Sequence, residues 1–147
     1  PTPIVEESSS IRAYPVADGR RRIDVSVGLR ALHHGVELAG TDDEKGYGGL
    51  SLRVANPQLA GIESDGRVLH ATVAGMQTGD WVAFNWRALP PPWPARIAAS
   101  CQVDGRAWTR WVLRQELSMQ NCAFPGAAPI AVPSDGVLRL GLSLLVE

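Results

Sequence analysis

In the stretch RIDVSVGLRAL, Ile23, Val25, Val27, Leu29 and Ala31 fall on one face, and Asp24, Ser26, Gly28 and Arg30 on the other. A period of two predicts a half-buried strand, because successive side chains in a strand point to opposite faces of the sheet. GLSLRVA repeats the pattern, with Leu50, Leu52 and Val54 inward and Ser51 and Arg53 outward. GRVLHATVAG alternates less cleanly and carries apolar groups on both faces. DWVAFNWR sets Trp81, Ala83 and Asn85 opposite Val82, Phe84 and Trp86, and AWTRWVLR is a further short run of aromatic and β-branched residues. The closing VLRLGLSLLVE places Leu138, Leu140, Leu142, Leu144 and Val146 on one face and predicts the strongest strand of the chain.

Turn chemistry separates these runs. ADGR, SDGR, VDGR and SDGV each contain Asp-Gly, a pair suited to tight hairpin turns because Gly accepts positive φ and Asp tolerates it. No window of ten or more residues shows a convincing helical period; TRWVLRQELSMQ comes closest, and its Trp and Val suit a strand. The pattern predicts an all-β, antiparallel β-sandwich of seven to nine strands in two packed sheets, with residues 1–147 forming one domain. One segment, RALPPPWPARI, is dense in proline and predicts a rigid extended loop across the end of the sandwich.

Composition adds exclusions. The chain has 147 residues, enough to bury roughly two-thirds of its unfolded surface. Its net charge of −1 leaves no electrostatic footprint for nucleic acid, and Arg20-Arg21-Arg22 reads as a solvated strand start. No apolar run approaches the roughly 20 residues of a membrane helix. The first residue is Pro rather than Met, which suggests a processed or truncated product. Cys101 and Cys122 lack the partners of a zinc site. They read as two buried thiols, or as one disulfide in an oxidising compartment.

Catalytic signatures are sparse. There is no G-x-S-x-G elbow and no phosphate-binding loop. His33 and His34 read as a surface turn at a strand end, and His70 as a packing residue within a strand between Val68 and Thr72. The stretch TDDEKGYGG is denser in chemistry. Asp42, Asp43 and Glu44 could hold a sugar hydroxyl or, through oxygen ligands, Ca²⁺; the spacing is not that of an EF-hand, and no metal is expected. Gly46, Gly48 and Gly49 allow a sharp turn or a close ligand, and Tyr47 offers a stacking face. The bland reading is a charged corner that solubilises a sheet edge. Farther on, Trp111 and Arg114 combine an indole face with a guanidinium fork, as in sugar or carboxylate contacts, or else cap a core.

DEKGYGGLSLRVA, DWVAF, WVLRQELSMQNCAFPGAAPIAV and LRLGLSLLV, in this order, resemble the bacterial methane oxygenase PmoA-like family over Arg22 to Val146. The matching positions are Glu44, Gly48, Gly49, Arg53, Asp80, Trp81, Trp111, Arg114, Asn121, Pro125 and Gly126. Lys45-Gly46-Tyr47 is extra relative to the family pattern, and the family's His-rich amino-terminal half has no counterpart here. The resemblance implies the carboxyl-terminal portion of a larger protein, a sandwich like half of a galactose-mutarotase supersandwich, and carbohydrate handling. Methane oxidation is not expected, because the chain has neither spans nor a copper site.

On that reading the domain binds or processes a carbohydrate. Glu44 is the acid/base candidate. Trp111 or Trp81 would stack on the sugar, Arg53 and Arg114 would donate hydrogen bonds, and Asn121 completes the set. No cofactor is expected. The rival expectation is a non-catalytic interaction domain that forms a homo-oligomer or associates with a missing half through an exposed sheet face.

Overall fold

A computed structural model describes residues 2–54, 59–86, 94–115 and 119–147. Among these, all regular structure is β. The strands in chain order are β1 (Val5–Ala13), β2 (Arg21–Ala31), β3 (Glu37–Leu38), β4 (Leu50–Arg53), β5 (Gly61–Ser64), β6 (Arg67–Leu69), β7 (Met76–Gln77), β8 (Val82–Asn85), β9 (Arg96–Val103), β10 (Arg106–Ala107), β11 (Arg110–Val112), β12 (Met119–Cys122), β13 (Ile130–Ala131) and β14 (Leu138–Val146). That exceeds the seven to nine expected, because several are two- or three-residue pieces that no alternation over longer windows could reveal.

The large sheet has the order β1-β2-β14-β9-β8-β5-β6, with β10 paired to β9. The small sheet is β4-β12-β11-β7, and β13 with β3 forms a short ribbon. Every pairing is antiparallel. The strongest predicted strand lies centrally: β14 pairs β2 from Leu138↔Leu29 to Val146↔Arg21, and pairs β9 on its other edge.

The two larger sheets pack face to face. Leu142, Cys101, Ala99, Phe84, Val82 and Ile62 of the large sheet meet Trp111, Leu113 and Cys122 of the small one in a single buried cluster. Val82, Phe84 and Trp86 point inward as the alternation of DWVAFNWR requires. A second cluster joins Phe124 to Leu138 and Leu140, and Trp108 meets Phe124 edge-on at 4.9 Å.

Cys101 of β9 and Cys122 of β12 are joined as a disulfide that ties one sheet to the other across the core. The reading as two separate thiols is thereby corrected. Register is the reason: Cys101 lies opposite Leu142 and Cys122 opposite Trp111, both on the inner faces, so the sulfurs meet across the sandwich.

Three of the four Asp-Gly pairs form tight hairpin corners, with Asp18, Asp65 and Asp104 at φ near +50°. Asp135-Gly136 does not; it lies in a longer bend leading into β14. His70 is also corrected. GRVLHATVAG leaves the sheet after Leu69, and His70 is exposed at the start of the crossing to the small sheet. Pro90, Pro91, Pro92 and Trp93 of the proline-dense loop lie outside the described residues.

Candidate functional site

The TDDEKGYGG loop is built around Asp43. One oxygen of its carboxylate accepts from the Thr41 hydroxyl at 2.8 Å and from the amides of Lys45 and Gly46 at 3.0 and 3.1 Å. The Lys45 ammonium lies 3.6 Å from its other oxygen. The Thr41 hydroxyl also accepts from the Tyr47 amide, and the Thr41 amide donates to the Tyr47 carbonyl, closing the loop. The Thr41 hydrogen bond, above all, holds the Asp43 carboxyl below its ordinary pKa. Asp43 is therefore a turn-forming residue whose lone pairs are committed to its own loop. Among the described residues no three His, Cys, Asp or Glu side chains gather as a metal would require.

The paired glycines let this loop lie flat on the small sheet. A Cβ on Gly48 would come 2.5 Å from the Phe124 carbonyl oxygen, and Gly49 adopts φ +63°. The Asn121 amide nitrogen seals the corner, donating to the carbonyls of Gly48 and Leu50 and to the Ser51 hydroxyl at 2.8, 3.2 and 3.0 Å.

Two arginines rise beside this loop from β11 and its continuation. Residues 110, 112 and 114 share one face of a strand. The Arg110 guanidinium donates to the Glu44 carbonyl at 3.3 Å and lies against Gly75. Arg114 does more: it donates to the carbonyls of Thr72, Leu113 and Val73 and to the Tyr47 hydroxyl, the last two at 3.1 and 3.0 Å. Its backbone is fixed in turn by Gln120, whose side chain accepts from the Arg114 amide at 2.8 Å and donates to its carbonyl at 2.7 Å. Two cations lie near the Tyr47 ring, the Lys45 ammonium 5.9 Å and the Arg114 guanidinium carbon 6.0 Å from its centroid.

Where the two loops meet the strand, a groove of about 580 Å³ opens, lined by Lys45, Ala71, Thr72, Val73, Leu113, Arg114 and Gln115. Its floor is apolar and its rim is cationic and amide. A second hollow of about 540 Å³ lies at the β9–β10 hairpin beside Trp108 and contains none of the expected residues.

The expected site residues therefore divide. The 41–49 loop and the Trp111–Arg114 strand do share a surface, joined by Arg114 and Tyr47. Arg114 lines the groove, and Glu44 is exposed next to Lys45, which lines it too. Trp111 is 1% exposed and belongs to the core, so its indole faces are covered by protein and present nothing to a ligand. Asn121 is 2% exposed and spends its amide on the corner. Trp81 is 44% exposed at the start of β8, in the other sheet, and Arg53 is exposed at the end of β4. Neither lines the groove.

Sequence patterning does not mark Lys45, Thr72, Val73, Gln115 or Arg110 as binding residues. The parity of Arg110 with Arg114 was the one available signal for that arginine. The crossing segment at 71–75 gave none, since only the fold brings it to β11.

These features define an all-β sandwich domain with a candidate ligand groove beside its smaller sheet. The chain belongs to a family of unknown function, DUF6807, whose model matches residues 1–147. No curated protein and no solved structure matches the chain at a significant level.

Proposed function

We propose that this domain binds a carbohydrate in the groove between Lys45, Val73 and Arg114, as part of a carbohydrate-handling protein related to the PmoA-like family. The observation that carries the reading is the state of Arg114. Among the described residues its guanidinium meets only neutral acceptors, three carbonyls and a phenol. Four of its five N–H groups are committed to these acceptors, so it is held rigidly as a fixed cation in the groove wall, which suits the electronegative oxygens of a sugar. Ala71 and Val73 supply an apolar surface for the C–H face of a sugar ring. Thr72 and Gln115 add polar groups at the rim.

Binding, rather than turnover, is the function this geometry supports. Among the described residues the lining includes no carboxylate, His or Cys to move a proton. Glu44 keeps its place as the acid/base candidate only through its position next to Lys45. Calorimetric titration with neutral and acidic sugars tests the reading. At least one sugar binds the wild type, and Val73→Trp, a plug at an exposed position, removes that binding without lowering the melting temperature. Binding that survives the plug, or no binding by any sugar, rules the groove out.

A further inference from the structure

The outer edge of β1 carries a second, independent message. β1 ends the large sheet, and every residue in it except Val5 is exposed. Nine residues of edge run without Pro, Lys or a bulge, three devices that blunt an open edge, and its charges Glu6, Glu7 and Arg12 are of both signs. Pro3 and Pro15 stand only outside it.

The direction of its backbone groups is fixed by the pairing with β2. The Ile4 carbonyl accepts from the Leu32 amide, and the Tyr14 amide donates to the Arg22 carbonyl. With the register Val5↔Ala31 to Ala13↔Ile23, even-numbered residues turn their polar groups toward β2. Val5, Glu7, Ser9, Ile11 and Ala13 turn theirs outward.

We propose that this edge pairs antiparallel with the same edge of a second copy, about a two-fold axis at Ser9, joining two large sheets into one. The axis sets outward residues opposite outward residues: Val5 faces Ala13 of the second copy, Glu7 faces Ile11, and Ser9 faces Ser9. All five outward residues then exchange both backbone hydrogen bonds. On the other face the same axis sets Glu6 opposite Arg12 of the second copy, twice by symmetry. Moving the axis to Ser8 puts Glu6 opposite Ser10, and moving it to Ser10 puts Glu6 opposite Tyr14, so the charge match is lost. Glu6 already pairs with Arg30 of β2, and the second Arg completes a three-charge row. Ile11, 74% exposed, continues the apolar face of Val25 and finds cover between Glu7 and Ser9 of the second copy.

Sedimentation velocity on the whole chain tests this, with three variants. The wild type is expected to be a concentration-dependent dimer. Ser9→Pro removes an amide that faces away from β2, so it yields a monomer with unchanged circular dichroism. Arg12→Glu and Glu6→Arg each set like charges opposite one another and weaken self-association by roughly tenfold. Mixing these two variants restores a heterodimer, since each Glu then meets an Arg. A monomeric wild type overturns the proposal. So does a dimer that persists in Ser9→Pro, which places the interface elsewhere. A mixture that fails to restore the dimer refutes the Ser9-centred register.

Discussion

The Arg114 guanidinium donates to the Tyr47 hydroxyl at 3.0 Å across 67 positions of sequence. With the Arg110 and Asn121 contacts, this bond ties the glycine-rich loop to the small sheet, and with the Thr72 and Val73 carbonyls it sets the wall of the groove. Because Arg114 also holds Tyr47 from the side of its ring, neither partner works alone. In a double-mutant cycle, Tyr47→Phe and Arg114→Lys are expected to show a coupling of about 1 kcal/mol. Arg114→Lys alone costs more than Tyr47→Phe, since a single ammonium cannot serve four acceptors lying in different directions. Urea unfolding of the four proteins measures both quantities. Strict additivity would mean that the contact contributes nothing.

Trp111 is a core residue, and its truncation acts on the fold. Trp111→Ala is expected to cost roughly 3–5 kcal/mol, as for other large-to-small core changes, or to prevent folding altogether. Trp111→Phe loses less. Denaturant midpoints read the effect directly, and a Trp111→Ala protein as stable as the wild type would remove the indole from the core.

The Cys101–Cys122 bridge closes a loop of 21 residues of sequence separation between the two sheets. Chain-entropy reasoning gives it about 3 kcal/mol. Alkylation of the unfolded, unreduced protein should find no free thiol. Replacing both cysteines by Ala should lower the unfolding free energy by about that amount, with a further loss from the small volume removed between Trp111 and Leu142. Two alkylated thiols in protein purified under oxidising conditions would contradict the bridge.

The Asp43 loop predicts a pH dependence with a definite sign. The folded state lowers the Asp43 pKa, chiefly through the Thr41 hydroxyl. Folding therefore favours the carboxylate, and its contribution is complete above the unfolded value near ~4. That contribution disappears as pH falls through the lower folded value. Carbon-detected NMR of the side-chain carboxyls should place the Asp43 midpoint below the ordinary aspartate value, as it should that of Asp24. Asp24 is pulled upward by burial but held low by Arg22, Ser143 and Tyr14 together. Thr41→Ala should move the Asp43 midpoint upward, and an unmoved midpoint would show that the hydroxyl does not hold the loop.

Much of the large sheet was legible in the sequence, because period two is strongest where one face is buried and the other wet. Ile23 to Ala31 and Leu138 to Val146 are such cases, and they pair with each other. β1 was illegible for the converse reason: VEESSSIRA buries almost nothing on either face, so no pattern of burial was imposed on it. The common surface of the glycine corner and the Arg114 strand was foreseeable, yet which side chains faced that surface was not. Trp111 and Arg114 lie three residues apart and hence on opposite faces of a strand, so one of them had to point inward. Only the second sheet decides which, by burying the indole in the cluster that also holds Cys101 and Phe84. Thr72 and Val73 reach the groove through a crossing between sheets that short-range patterning does not encode.

Amide NMR titration with the same sugars tests the central claim most directly, because it reports where binding occurs as well as whether it does. The groove predicts saturable shifts at Lys45, Thr72, Val73, Arg114 and Gln115, with Trp81 and Arg53 unmoved. Shifts centred on Trp81 or on the β9–β10 hairpin, or none with any sugar, would contradict it.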